Sequence, residues 1–571
     1  MQFIDWMQLI FFLAILTALV KPVGIYIYRV LNPDEKTGLE FVFSPLERIT
    51  YRICKIDPGK EQNWKEYLFA LLMFSLAAFV FMFAVLGIQQ FLPLNPEKLG
   101  AITWDLNFNT TASFISNTNW QSYSGETTLS YFSQMFTLTV QNFVSASVGI
   151  AVAAALARGV ARAGGNGLGN FWVDLVRSTY YLFIPLSLIL AIFLISEGVP
   201  QNFHDYVSAK TLETRAVQTI VQGPIASQDA IKLLGSNGGG FTNANAAHPY
   251  ENPTPLSNFI QVLAILLIPA AQTYYYGKTV RHQKHGWSIY LIMLLLLVTG
   301  IIATTHFERA GNLNFSNLGV DMQAGNLEGK EQRFGLFGST LFATTSTAVS
   351  CGAVNSMFSS YTPYATLFLF QNMQVGEIIF GGVGSGIYGM ILIFFVGIFI
   401  AGLIIGRTPE YLGKKIESYE IKMSVVPMLL FIILILGCTS WACMSAWGKE
   451  AIGNTGPHQL SEILYTYTSA TANNGSAFGS LSANNPWYNI TIGFVMLISR
   501  FICIAVTLAL AGSLVKKKST PQSSGSFPVD GLTFVFLMIG AIVLVGGLGY
   551  LPALILGPIV EQLYMYKGTL F

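Results

Sequence analysis

The sequence predicts an all-α polytopic membrane protein with ten transmembrane helices, in which a unit of helix, pore loop and helix is used four times. Three observations carry this prediction. The 571 residues are 52% hydrophobic and only 11% charged, against about 25% charged in soluble domains. Ten apolar stretches approach the roughly 20 residues that a helix needs to cross the hydrocarbon core of a bilayer; they lie at 8–28, 64–92, 129–158, 171–195, 256–277, 287–305, 375–406, 423–447, 489–515 and 532–555. The gaps after the second, fourth, sixth and eighth stretches are long, and each carries a weaker apolar segment followed by a cluster of small residues.

Taken in order, the first stretch follows six residues that contain Asp5 and no Lys or Arg, so the basic leader of a cleavable signal peptide is missing and the stretch is expected to stay attached. Orientation follows from basic residues, which resist translocation. Twenty of the 31 Lys and Arg residues fall in the loops after odd-numbered spans, nine on the other face, and Lys21 and Arg500 within spans. Both termini are therefore expected on the outer face, and the four long gaps with them. The expected organisation is a single membrane domain, 1–571: an N-terminal helix and cytoplasmic loop at 1–62, repeats at 63–160, 170–280, 285–410 and 421–518, and a C-terminal helix at 530–571.

The four clusters read Ser116-Asn117-Thr118-Asn119, Ser236-Asn237-Gly238-Gly239, Ser350-Cys351-Gly352-Ala353 and Asn473-Asn474-Gly475-Ser476. Aligned on the third residue they recur after 120, 114 and 123 positions, the length of a span, a pore segment and a second span. Non-helical backbone at membrane depth survives only where it is buried in protein or lines a watery cavity, and a re-entrant loop meets that condition. Gly238, Gly352 and Gly475 permit positive φ and close approach of four loops; rings of carbonyls of this kind replace the hydration shell of potassium. The short segments before the clusters read as pore helices, with Ser227 and Ser461 as expected caps and Asp229 and Glu462 in the first turns, their negative C-terminal ends aimed at a cation. The alternative is tight helix packing through small residues. Thr118, where the other loops carry Gly, excludes strict fourfold symmetry.

Arg500 stands midway along the ninth span, where a charge costs at least about 2.5–3.5 kcal/mol. It is expected in an aqueous pathway below the loops or in a buried ion pair. Lys21 can snorkel to the inner face. Gly381, Gly382, Gly384 and Gly386, each costing about 1 kcal/mol in a helix, predict a break in the seventh span, a gate beneath a pore loop or a site of close packing. Glu377 precedes the break as an interfacial or intramembrane charge.

The remaining motifs exclude more than they suggest. With 31 basic and 29 acidic residues there is no basic stripe for nucleic acid. Five cysteines lack CxxC spacing and six histidines are scattered, so neither disulfides nor a metal site is indicated. Asp34-Glu35-Lys36-Thr37-Gly38 resembles the phosphorylation motif of P-type ATPases, but Glu35 interrupts it; Gly277-Lys278-Thr279 ends like a Walker A loop, but Gln272 replaces its first glycine. No cytoplasmic loop is long enough for a nucleotide-binding domain, so no nucleotide is expected on this chain and energy must come from a partner or an ion gradient.

Four strings carry a resemblance over essentially the whole chain: 117–126 (NTNWQSYSGE), 236–241 (SNGGGF) with 248–254 (HPYENPT), 350–355 (SCGAVN) and 472–478 (ANNGSAF). They resemble the A subunit of the Kdp potassium-transporting ATPases, of the superfamily of potassium transporters. The resemblance implies four helix, pore loop, helix repeats with one extra helix at each end. It further implies K+ as the transported ion, a P-type ATPase partner (the B subunit) that hydrolyses ATP, small C and F subunits, and a place among the lipids of the bacterial inner membrane. By the same resemblance the filter falls on Asn117, Thr118, Asn119, Asn237, Gly238, Gly239, Cys351, Gly352, Asn474 and Gly475, flanked by Ser236, Ser350 and Asn473. Gln121 and Arg500 match the ion pathway beside the filter, and the glycine-rich break resembles a gating loop. Ser236 departs from a more usual Thr, with the hydroxyl kept. A free-standing potassium symporter or channel, and an enzyme acting on a lipid-borne substrate, are the competing readings.

Overall fold

The structure is a computed structural model that describes residues 1–406, 408–519 and 528–568; Arg407 of the basic loops and residues 569–571 of the C-terminal segment lie outside it. Among the described residues ten helices are long and apolar enough to cross a membrane. The chain opens with α1 (Phe3–Leu31) and a short amphipathic α2 (Glu40–Ile53). Repeat one then runs α3 (Trp64–Gly87), pore helix α4 (Trp104–Ile115) and α5 (Tyr131–Ala161). Repeat two runs α6 (Phe171–Ser196), a hairpin of β1 (Val207–Lys210) and β2 (Val217–Ile220), pore helix α7 (Ile225–Leu234) and α8 (Pro255–Thr279). Repeat three runs α9 (Gln283–Ala310), pore helix α10 (Gly335–Ala348), α11 (Pro363–Gln374) and α12 (Ser385–Ile405). Repeat four runs α13 (Ser418–Met444), pore helix α14 (His458–Ala472) and α15 (Pro486–Lys516), and α16 (Gly531–Tyr566) closes the chain. This is the predicted fold class, four pseudo-fourfold repeats with one extra helix at each end.

Local signals set the helix starts. Asn63 caps α3 by accepting from the backbone N–H of Lys65 and Glu66 at 3.0 and 3.2 Å, and Glu66 accepts back from the Asn63 N–H at 3.0 Å, the reciprocal arrangement that satisfies orphan donors. Thr254 caps α8 with Pro255 in its first turn, and Asn485 caps α15 with Pro486, where proline lacks only an N–H that would go unused.

Burial separates the two helices of each repeat. The helix after the pore segment is buried over 83%, 72%, 67% and 61% of its apolar window in α5, α8, α12 and α15; the helix before it reaches only 28%, 39%, 50% and 17% in α3, α6, α9 and α13. The second helices thus form an inner ring and the first an outer one. In water the inner ring would read as core, and in lipid the outer ring needs no cover.

Two expectations are corrected. The seventh span was expected as one stretch at 375–406 broken at Gly381–Gly386. The backbone instead leaves the helix for all of 375–384, Gly386 lies in the first turn of α12, and the residues before 375 form a separate helix, α11, outside the expected stretch. The expected pore-helix caps also fail. Helix α7 begins at Ile225 and α14 at His458, so Ser227 and Ser461 lie inside helices; Ser227 N–H donates to Gln201 at 2.9 Å, and Ser461 donates its hydroxyl to Glu561 of α16.

Candidate functional site

All four pore helices end alike. The residue after the last turn lies in the left-handed region, Asn117 at φ 66°, Ser236 at 51°, Ser350 at 55° and Asn473 at 57°. The next N–H returns to the carbonyl five residues back: Thr118 to Ser113 at 2.9 Å, Asn237 to Lys232 at 2.8 Å, Cys351 to Ser346 at 3.2 Å and Asn474 to Ser469 at 2.9 Å. This is the Schellman closure, usually built on glycine; a side chain there costs about 1–2 kcal/mol, least for Asn. The closure corrects the register of the first loop by one residue. Asn119, not Thr118, occupies the place of Gly238, Gly352 and Gly475, and Asn119 takes φ 57° where Gly238 and Gly475 take 91° and 99°. Gly352, expected to share this conformation, is not among the residues at positive φ.

The loops close into a ring. Asn117 Nδ2 donates to the Gly235 and Ser236 carbonyls at 3.4 Å, and the Asn117 and Asn237 side chains meet at 2.6 Å. Gly352 N–H donates to the Asn237 carbonyl at 3.3 Å, Ser350 Oγ to the Asn473 carbonyl at 3.0 Å, and Asn473 Nδ2 to Thr118 Oγ1 at 2.9 Å, which returns to the first loop. Glycine is required by the closeness of this ring. A Cβ at Gly238 would overlap the Gly352 nitrogen, and one at Gly475 the Thr118 carbonyl oxygen. Gly239 faces Asn119, 2.7 Å from where its Cβ would stand.

Apart from the half-buried Gly475, every ring residue is buried, yet the carbonyl oxygens of Thr118, Asn119, Gly352 and Gly475 receive no hydrogen bond from the described residues. The Gly238 carbonyl is satisfied by Asn245 Nδ2 at 2.6 Å, and that of Cys351 by Ser346 Oγ at 2.6 Å. Buried carbonyls without donors are costly. Neutral carbonyl oxygens left without donors on adjoining loops suit a monovalent cation stripped of its water.

Two cavities meet the ring from opposite sides. The one on the face expected to be outer, about 770 Å³, touches Asn119, Gly238, Gly352 and Gly475 and includes Gln121, whose amide donates to the Gly240 carbonyl at 3.2 Å. The inner one, about 90 Å³, touches Ala472 and Asn473 and is lined by Glu377, Ser385, Tyr388 and Arg500. Arg500 is only 5% exposed, and among the described residues its one hydrogen bond goes to the Tyr388 hydroxyl at 3.4 Å. It lines that cavity and makes no ion pair among the described residues.

The non-helical segment 375–384 lies between the ring and the inner helices. Gly381 N–H donates to the Ala348 carbonyl at 3.2 Å and Gly384 N–H to Gln272 Oε1 at 3.0 Å. Gly382 faces Ser350, Gly384 lies against Gly149 of α5, and Gly386 lies under the Phe380 carbonyl. Glu377 and Phe380 are held at φ 51° and 65°, a strain of about 1–2 kcal/mol each. Glu377 sits beside Ser350 and Asn474, with Oε1 unpartnered among the described residues.

Sequence reasoning missed Gln272, Tyr388, Asn245 and the buried group Lys232, Asp229 and Glu251. Lys232 carried a signal, a cation inside an apolar pore helix, but was counted as one of the outer-face charges.

The chain matches the family model described as Potassium-transporting ATPase A subunit over residues 10–563. It is 52% identical over 566 residues to the potassium-transporting ATPase potassium-binding subunit of Mesorhizobium japonicum, covering 99% of each chain. It is 50% identical over 571 residues to the protein of the same description from Rhodopseudomonas palustris, covering all of both. The crystal structure of the potassium transporter TrkH from Vibrio parahaemolyticus superposes with a TM-score of 0.50 at 14% identity, over 85% of this chain and 97% of that one, a likeness of fold. Family model and full-length relatives agree, and this chain belongs to the potassium-transporting ATPase A subunit family.

Proposed function

We propose that this chain is the potassium-binding and translocating subunit of an ATP-driven high-affinity potassium uptake complex. Its filter is the ring made by Asn117, Thr118 and Asn119, by Ser236, Asn237, Gly238 and Gly239, by Ser350, Cys351 and Gly352, and by Asn473, Asn474 and Gly475. The observation that carries this reading is the closed ring of four loops with donor-free buried carbonyls between two cavities. Such oxygens exchange for the water of K+ at little cost, while a smaller ion loses more hydration than a rigid ring returns.

An ion enters from the outer cavity past Gln121, loses its water in the ring and meets the inner cavity. There Arg500 supplies a fixed positive charge that disfavours a second cation. The segment 375–384, with Gly381, Gly382, Gly384 and the packed Gly386, is the gate. ATP is hydrolysed by a partner, the P-type ATPase (B) subunit, and small C and F subunits complete the assembly. The complex resides in the bacterial inner membrane with both termini of this chain outside.

The test is potassium uptake by cells expressing the chain with and without a co-encoded P-type ATPase partner. Uptake is expected only with the partner; uptake by the chain alone removes the ATP-driven reading. Gly238→Ser is expected to lower apparent K+ affinity about tenfold or more and to shift ion preference, and unchanged preference removes the filter assignment.

A further inference from the structure

The second pore helix carries a fully buried ionic group within two hydrogen bonds of the ring. Lys232 of α7 is 0% exposed, as are Asp229 and Glu251. Its ammonium pairs with Glu251 and lies 2.8 Å from Asp229. Glu251 is anchored in turn: its Oε1 accepts from the N–H and the hydroxyl of Thr242, both at 2.7 Å, and Gln261 donates to its backbone carbonyl at 2.8 Å. The remaining contact of the Lys232 ammonium leads to the ring. It donates to Asn245 Oδ1 at 3.3 Å, and Asn245 Nδ2 donates to the Gly238 carbonyl at 2.6 Å. The backbone of Lys232 acts on the same loop from below, since its carbonyl accepts from the N–H of both Asn237 and Gly238 at 2.8 and 3.0 Å.

This group holds one loop and leaves the other three alone. Of the four carbonyls in the register of Gly238, those of Asn119, Gly352 and Gly475 receive no donor from the described residues, and that of Gly238 is taken by Asn245. Asn245 is itself held at φ 53°, a conformation that needs support. A lone asparagine amide rotates freely; one whose oxygen is fixed by a buried ammonium presents its nitrogen in a single direction. Gly240 is required by the same packing, because a Cβ there would stand 2.8 Å from both the Lys232 ammonium and Glu251 Oε2. The group also accounts for Glu251 within the string 248–254.

We infer that Lys232, Glu251 and Asn245 form a positioning unit that ties down the Gly238 carbonyl and so sets the ion preference of the ring. The inference rests on the filter reading proposed above. Asn245 touches backbone rather than the ion; by withholding one oxygen of four it makes the outer layer of the ring three-sided. Released, the Gly238 carbonyl joins that layer and the loop tolerates a wider range of ion radii.

The experiment measures uptake by the assembled complex with K+ and with Rb+ as substrate, reading apparent KM, maximal rate and amount of complex. Asn245→Ala keeps the Lys232–Glu251 pair and removes only the link to Gly238. The expected result is an apparent KM for K+ raised at least fivefold and a K+-over-Rb+ preference narrowed by a similar factor, with maximal rate and amount of complex within about twofold. Glu251→Gln is expected to act in the same direction and also to lower the amount of complex; should it fail to assemble, Asn245→Ala decides. An unchanged KM and preference in Asn245→Ala, or a fall in maximal rate alone, overturns the inference provided Gly238→Ser shifts ion preference. If Gly238→Ser leaves preference unchanged too, the filter reading itself has failed.

Discussion

The outer cavity holds about 770 Å³ and its charges are matched: Lys330 lies 2.6 Å from Glu308 and 4.0 Å over the Tyr361 ring, and Glu331 pairs with Arg333. The inner cavity holds about 90 Å³; there Arg500 makes no ion pair among the described residues, and Glu377 Oε1 has no partner among them. On one side of the ring the charges form direct pairs; on the other Arg500 and Glu377 face one cavity without a direct salt bridge among the described residues, Glu377 beside Ser350 and Asn474. A matched pair is a brace, whereas an unmatched charge in a membrane is kept at a cost of several kcal/mol. On the proposed reading the outer side is built to admit ions and the inner side to control their leaving.

Breaking a matched charge is therefore expected to have the largest effect. Glu308→Ala leaves the Lys330 ammonium buried and should destabilise the protein by about 3–5 kcal/mol, read as loss of folded protein in detergent; a thermal midpoint near wild type would show that this pair braces nothing. Next comes the ring. Gly475→Ala places a methyl group against the Thr118 carbonyl at φ 99° and should raise the apparent KM for K+ by one to two orders of magnitude, and a wild-type KM would mean that the ring is looser than its contacts. Arg500→Met removes a charge that makes no direct ion pair among the described residues, so the contrast with Glu308 predicts unchanged folded amount but an altered maximal rate, about tenfold, in uptake assays. Destabilisation as large as that of Glu308→Ala would class Arg500 as a brace after all.

Two smaller effects lie outside the pathway. His458, at the start of α14, is lowered by burial, but the hydrogen bond and charge of Glu561 outweigh this and hold it above the ordinary histidine value. A raised value means that the link, 2.8 Å long, contributes its full stability below about pH 6.5 and loses it as pH rises through the folded-state value. The expected difference is about 1 kcal/mol, seen as a falling thermal midpoint in wild type and a flat one in His458→Gln. Smallest of all, Glu61→Ala opens the solvent-exposed pair with Arg162 at 2.8 Å and should change stability by less than about 1 kcal/mol, a baseline for the rest.

The ten spans and the places of the four clusters were legible in the sequence. The break in the third repeat was only half legible. Helix α11 carries Gln371, Asn372 and Gln374, so it does not read as a span. Asn372 is nevertheless buried, donating to the Thr344 carbonyl at 3.3 Å and to Thr347 Oγ1 at 3.0 Å, and such partners come from another helix. The register of the first loop was misread because the alignment followed glycine, while Asn119 adopts the left-handed region as glycine does. Lys232 was misplaced because a lysine near an outer loop reads as solvated until its partners, up to 19 residues away, are seen to enclose it.

By itself the sequence determined that the chain lies in a membrane, how often it crosses and where its backbone leaves the helix between crossings. These follow from the transfer cost of each residue and from local backbone sterics, which act within a few turns. Only the tertiary structure decided which carbonyls in the ring lack donors, which buried charges are matched and that Arg500 stands beside the inner cavity. Those outcomes depend on groups separated along the chain, some by a few turns, such as Lys330 and Glu308, and some by more than a hundred residues, such as Arg500 and Tyr388 or Asn473 and Thr118, and hydrogen bonds and ion pairs exist only where folding has brought both partners within reach.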